Sequence, residues 1–174
     1  MLELKDLYAE LVEMYRQSIT ELTPELCDKL ISHNIYLGKG NENEEYYIKL
    51  FEWDQNSKNA YKRWSAYYDL LHFYVRAECY EKADEIFHRF LNDFSYEEMS
   101  RYRFDYLLID CCEIIANVPS SANELWKWAK PHIKAKEKYG KLYEKAIVAA
   151  ESVGDSYVAV LKSEYEQYTK KYHS

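Results

Sequence analysis

The sequence predicts an all-α protein of antiparallel helical hairpins, about eight or nine helices in all. Apolar residues recur at steps of three and four through most of the 174 residues, the period of a helix with one apolar face. Only 4 Gly and 3 Pro interrupt the chain, too few for a β-rich or loop-rich fold. A short turn at the centre joins two amphipathic stretches, and such a pair must fold back on itself. The length suits a single domain, residues 1–174, with a core of its own. Within it, residues 1–40 read as an N-terminal hairpin and residues 57–172 as the main body.

The elements follow in order. Residues 2–19 form a helix with the stripe Leu4, Leu7, Leu11, Met14 and Tyr15, widened by Val12 and Ile19. Thr23-Pro24 starts a second, since Thr can cap and Pro suits a first turn. It carries Leu26, Leu30 and Ile31 and stops near Gly38. Gly38 to Glu45 is polar and reads as a loop. A short helix spans about Glu45 to Trp53, and Asp54 to Ser57 ends it and caps the next. The central hairpin runs from Trp64 to Phe94. Ser95 and Glu98 form a capping box that opens a long helix to about Asn117. From Tyr106 to Ala116 that helix is apolar all round except Asp110 and Glu113, which marks the most buried element. Pro119 ends it, and Ser121 with Glu124 makes a second capping box. The next helix carries Leu125, Trp126 and Ala129 and should break or kink at Pro131. Gly154 separates the last two helices, and the final one carries Tyr157, Val158, Leu161, Tyr165 and Tyr168.

The hairpin at the centre places Trp64, Tyr67, Leu70, Leu71, Tyr74 and Val75 on one helix and Ala83, Ile86, Phe87, Phe90 and Leu91 on the next. The order Tyr67, Leu70, Leu71, Tyr74, then Tyr80, Ala83, Phe87 and Phe90, resembles one tetratricopeptide repeat. Leu71 stands where that family has a small residue, and Ser95 where it often has Pro. Ala122, Trp126 and Ala129 repeat the second-helix spacing, and Gly154-Asp155 with Ala159 resembles the family's turn and small residue. The three alanines lie 39 and 37 residues apart, against a family period of about 34. The resemblance implies a right-handed stack of hairpins over residues 57–172. It also implies a concave groove lined by first helices that holds a peptide or partner helix. On the central hairpin that groove face would be Tyr68, Asp69, His72 and Arg76.

Composition narrows the function. The net charge is −7, which disfavours nonspecific nucleic-acid binding because phosphates demand a cationic surface. Residues 1–60 hold 6 basic and 12 acidic groups, whereas residues 120–174 hold 10 basic and 7 acidic. The 19 Tyr suit half-buried positions in thin helical layers. No apolar run approaches the roughly 20 residues of a membrane span. The N-terminus reads as an amphipathic helix, not a signal peptide. Cys27, Cys79, Cys111 and Cys112 lack CxxC spacing and read as reduced thiols, so the expected location is the cytoplasm.

Other constellations are weaker. Glu85 and His88 make an ExxH unit, and Asp69 and His72 a DxxH, with Asp110 and Glu113 as nearby carboxylates for a metal. Cys79 and His72 could pair as nucleophile and base, but no motif supports them. Gly38 to Glu42 matches no phosphate-binding fingerprint, and no cofactor is expected. A basic band of Lys127, Lys130, Lys134, Lys136, Lys138, Lys141 and Lys145 interleaves Trp126, Trp128 and Tyr139; its functional reading is contact with RNA or an acidic protein, and its ordinary reading, the preferred one, is a solvated face. The function expected is therefore a non-enzymatic module that binds a protein or peptide. One version is an immunity- or antitoxin-type partner covering a basic enzyme through the acidic segment Glu42 to Asp54. The other readings are a helical metal protein or enzyme built on the acid–His pairs, and a structural subunit of a larger assembly.

Overall fold

The computed structural model describes residues 4–17, 19, 21–102, 104–133 and 140–172. These residues form ten α-helices and two short 3-10 turns, with no strand among them. The helical count agrees with the sequence reading. Contacts divide the chain into two compact units, Met1–Phe73 and Tyr74–Ser174.

The first unit holds α1 (Leu4–Gln17), α2 (Pro24–Leu37), α3 (Glu44–Asp54) and all of α4 (Ala60–Arg76) up to Phe73. Thr23 caps α2 as expected, its hydroxyl accepting the Leu26 N–H at 3.3 Å, with Pro24 in the first turn. Gly38 ends α2 at φ 78°, a left-handed conformation that a Cβ disfavours. The loop predicted after it is partly a 3-10 turn, Gly40–Asn43, leading straight into α3. Two buried amides tie this corner together. Asn34 Nδ2 donates to Asn43 Oδ1 at 2.7 Å, and Asn43 Nδ2 to the Ile31 carbonyl at 3.4 Å. Buried amides need such partners, because each bond lost to water must be replaced. Around them Cys27, Leu30, Ile31 and Tyr46 form a core, against which Val12, Ile19, Leu22, Leu26, Tyr47 and Leu50 pack. Ring contacts join α3 to α4: Phe51 on Tyr67 at 4.8 Å and Tyr47 on Phe73 at 5.0 Å. Asn59, not the predicted Asp54–Ser57 stretch, caps α4; its Oδ1 accepts the N–H groups of Tyr61 and Lys62.

Helix α1 holds the largest departure from an ordinary amphipathic helix. Its stripe does not enter the core, and α1 has no buried residue at all. Leu4 is 81 % exposed, Leu11 63 % and Met14 67 %. The helix is held instead by an adjacent face. Val12 packs on the core, Tyr8 sits edge-on to His33 and Tyr36, and the Tyr8 hydroxyl is hydrogen-bonded to His33 Nδ1.

The second unit holds α5 (Tyr80–Asp93), α6 (Tyr96–Met99), α7 (Phe104–Asn117), α8 (Pro119–Ala129), α9 (Gly140–Ser152) and α10 (Val158–Tyr172). The Ser95–Glu98 capping box forms in both directions, but the helix it opens is a single turn. The long helix predicted from Ser95 to Asn117 is therefore two elements. Tyr96 and Phe104 close over the interruption, their rings edge-to-face at 5.4 Å. The core expected in α7 is there: eight of its residues, from Leu107 to Ile115, are buried. It packs against α5, α8 and α9, and α9 in turn carries α10. Burial pushes the Cys112 thiol up to about 12 and that of Cys111 well above its ordinary value. Pro119 begins α8, and Ser121 is no cap. Lying inside the helix, its hydroxyl donates to Asp84 Oδ2 at 2.6 Å instead. Pro131 does end α8, and a 3-10 turn follows at Lys130–His132.

Ala83 and Ala122 are buried, as small residues at close helix approaches should be, but Ala159 is exposed. The small residues at that end belong to α9: Ala146, Ala149 and Ala150 are fully buried. Asp155, in the Gly154-Asp155 turn, anchors the α9–α10 corner. It accepts hydrogen bonds from Trp126 Nε1 and Lys130 Nζ, both at 2.7 Å, and from the Tyr157 N–H at 2.8 Å. The Lys130 ammonium, then the Trp126 indole and the Tyr157 amide, lower its pKa to about 2.

Candidate functional site

The groove face predicted on α4 is only partly a surface. Trp64, Tyr68 and His72 stack in series along the helix, with ring centroids 4.8 and 5.6 Å apart. Tyr68 is buried, Asp69 and His72 are half-buried, and Arg76 is exposed. Asp69 accepts the Ser65 hydroxyl at 2.8 Å, the next turn of the same helix. Part of this face's chemistry is therefore spent within the helix itself.

The acid–His pairs are distributed over both units: Asp69 and His72 fall in the first, Glu85 and His88 in the second. His88 turns away from Glu85, which is exposed. Its neighbours are Asp84, 3.4 Å from Nε2, and Glu124 on α8, 4.0 Å from Nδ1. Glu113 lies 2.5 Å from Lys145. Among the described residues no three His, Cys, Asp or Glu side chains meet in a metal-binding arrangement. The Cys79 thiol faces the Ala77 carbonyl at 3.5 Å.

The basic band is broken up by the fold. Trp126 is buried, Lys130 serves Asp155 and lies 5.0 Å over the Tyr157 ring, and Lys145 serves Glu113. Lys134, Lys136, Lys138 and Tyr139 lie outside the described residues. The acidic segment Glu42 to Asp54 is partly neutralised at home: Glu42 by Lys39, Glu45 by Arg16 and Glu52 by Lys49.

The feature that sequence reasoning missed is a groove of about 540 Å³ lined by Leu4, Leu7, Tyr8, Leu11 and Tyr36. Helix α1 supplies four of those side chains and α2 the fifth. Met14 continues the row by one turn. Leu4, Leu7, Leu11, Met14 and Tyr36 are all well exposed, between 45 % and 81 %. Single exposed apolar residues are ordinary, but a row of them marks a candidate interaction surface. A signal for it was present. Leu4, Leu7, Leu11 and Met14 follow the strict three-four-three spacing of a coiled-coil seam, while Val12 and Ile19 fall on a neighbouring face. A helix with two apolar faces has one to spare.

Comparison with protein-family models, with curated proteins and with solved structures finds no match. No helix among the described residues is long and apolar enough to cross a membrane.

Proposed function

We propose that this protein is a non-enzymatic protein-binding module that takes a segment of another protein in the α1–α2 groove. One observation carries the reading. Exposed large apolar residues are scattered over the described residues, Trp53, Tyr61, Val148 and Val160 among them, but on α1 four of them, Leu4, Leu7, Leu11 and Met14, fall in one row open to solvent. Exposing that much apolar area costs solubility and contributes nothing to the fold, so it is the mark of a surface kept for a partner. Several side chains that could carry chemistry are engaged in the fold. Asp155 holds a corner, Asp84 is bonded to Ser121, and Cys111 and Cys112 are buried and protonated. The acidic character of residues 1–60 favours basic partners.

The test is affinity capture by the tagged chain, in parallel with a Leu7→Glu/Leu11→Glu variant and a Val160→Glu control. Val160 is exposed on α10, in the other unit. A protein retained in stoichiometric amount by the wild type and the control, and lost by the groove variant, is the expected result. Retention of the same proteins by all three would refute the assignment of binding to α1.

A further inference from the structure

Resting on that reading, we infer that the α1 groove receives a cationic amphipathic helix. Three observations lead there. The first is the shape of the floor. At 100° per residue, Leu4, Leu7, Leu11, Met14 and the exposed Tyr15 fall within an arc of about 100°, with Tyr8 beside them. So narrow and straight a row matches the apolar stripe of one helix, and not a flat sheet or a loop. The 14 residues of α1 give it a length of about 21 Å, four turns of an incoming helix.

The second observation is the charge beside the row. Its outer edge carries two exposed carboxylates, Glu10 and Asp6, followed by the neutral Gln17, whose Nε2 donates to Glu13 at 3.1 Å. Its inner edge is occupied by α2, where Tyr8 meets Tyr36 and His33. The cations of α1 lie past that inner edge. Arg16 points to the first unit's core, 5.7 Å from the Tyr46 ring and 3.8 Å from Glu45, and Lys5 shares its side of the helix. A docked helix thus meets leucines below and carboxylates along the open flank. Lys and Arg beside its apolar stripe would be paired there, and Asp or Glu would be repelled.

The third observation argues against a second copy of this chain as occupant. The antiparallel register that pairs all four seam residues sets Leu4 against Met14 and Leu7 against Leu11. That register also sets Glu10 beside Glu10 of the other copy, and it brings together two chains of net charge −7. Like charges at such positions are destabilising.

The test uses the full chain and two synthetic 18-residue helical peptides with the same leucine heptads, one flanked by Lys and one by Glu. Fluorescence anisotropy reads binding, and sedimentation velocity reads self-association. The expected result is that the Lys peptide binds about tenfold or more tightly than the Glu peptide, and that raising salt from 50 to 300 mM narrows the difference. Leu11→Glu abolishes binding with helicity unchanged, because Leu11 is mostly exposed. Glu10→Lys weakens the Lys peptide several-fold and strengthens the Glu peptide, a reversal that mere damage to α1 could not produce. Equal binding of both peptides would overturn the cationic assignment and leave α1 as a binding face. A monomeric chain that binds neither would overturn both readings. A dimer dissociated by Leu11→Glu would overturn the inference in favour of a second copy.

Discussion

Replacing Asn43 by Ala removes the acceptor of a 2.7 Å hydrogen bond from Asn34, whose amide is then left in the core with only 6 % of its residue surface exposed. The weaker 3.4 Å bond to the Ile31 carbonyl goes as well. An orphaned buried polar group costs about 1–3 kcal/mol, and the net worth of a satisfied bond is about 1 kcal/mol, so the change should cost about 2 kcal/mol. A unit of this size holds on the order of 4–10 kcal/mol in all, which makes the loss a substantial fraction. Hydrogen exchange is the suitable assay, because it reports protection in α2 and α3 separately from that in α7 to α9. The decisive comparison is the cycle with Asn34→Ala. Once one amide is gone the other has lost its reason to be there. The double variant should therefore cost little more than either single one, a coupling of about 1–2 kcal/mol. Additive losses within about 0.5 kcal/mol would refute the claim that the two amides serve each other.

Three further outcomes follow from features of the fold. The Tyr46 hydroxyl is buried with no hydrogen-bond partner among the described residues, so Tyr46→Phe should stabilise the first unit by about 1 kcal/mol; a loss of stability in urea denaturation would refute this. Asp155 has a pKa lowered from 3.8 to about 2, so its contribution is present above about pH 4 and is lost as pH falls towards 2. Acid titration followed by intrinsic tryptophan fluorescence should show that Asp155→Asn flattens this part of the profile, and an unchanged acid limb would count against it. Thiol labelling of the folded chain at pH 8 should modify Cys79 first and leave Cys27, Cys111 and Cys112 untouched, because only Cys79 is not buried. Modification of Cys111 or Cys112 before unfolding, seen by mass spectrometry, would refute the burial.

What could be read from the residues alone was whatever rests on local pattern. Thr23-Pro24, the Ser95–Glu98 box and the apolar run of α7 each state their role within a few positions, and each appears where expected. The break after Met99 was not legible, because no Gly or Pro marks Ser100 to Phe104; packing of Tyr96 on Phe104 and His132 accompanies the break. The second capping box failed for a similar reason. Ser121 has the right neighbour in Glu124, but Pro119 had already begun the helix and Asp84 offered the hydroxyl a better acceptor. Asp155 shows the same limit at longer range. Its turn was visible in Gly154-Asp155, yet its partners lie 29 and 25 residues earlier. For the candidate site, residue type pointed to α4, where the mixed chemistry proved to be stacked along one helix. The spacing on α1 held the sharper clue, because a seam says what it fits and a mixture of polar side chains does not.

The leucine row on α1 also decides how the uncovered chain behaves as a colloid. Two such rows attract at short range, and what holds the particles apart is the repulsion of their seven excess negative charges. That barrier vanishes near the isoelectric point of about 5.3 and thins as salt shortens its reach. The unoccupied protein should cloud at pH 5.3, stay clear at pH 8 in dilute buffer, and lose that difference once a cationic helix fills the groove. Its clarity in the tube thus becomes a measure of occupancy.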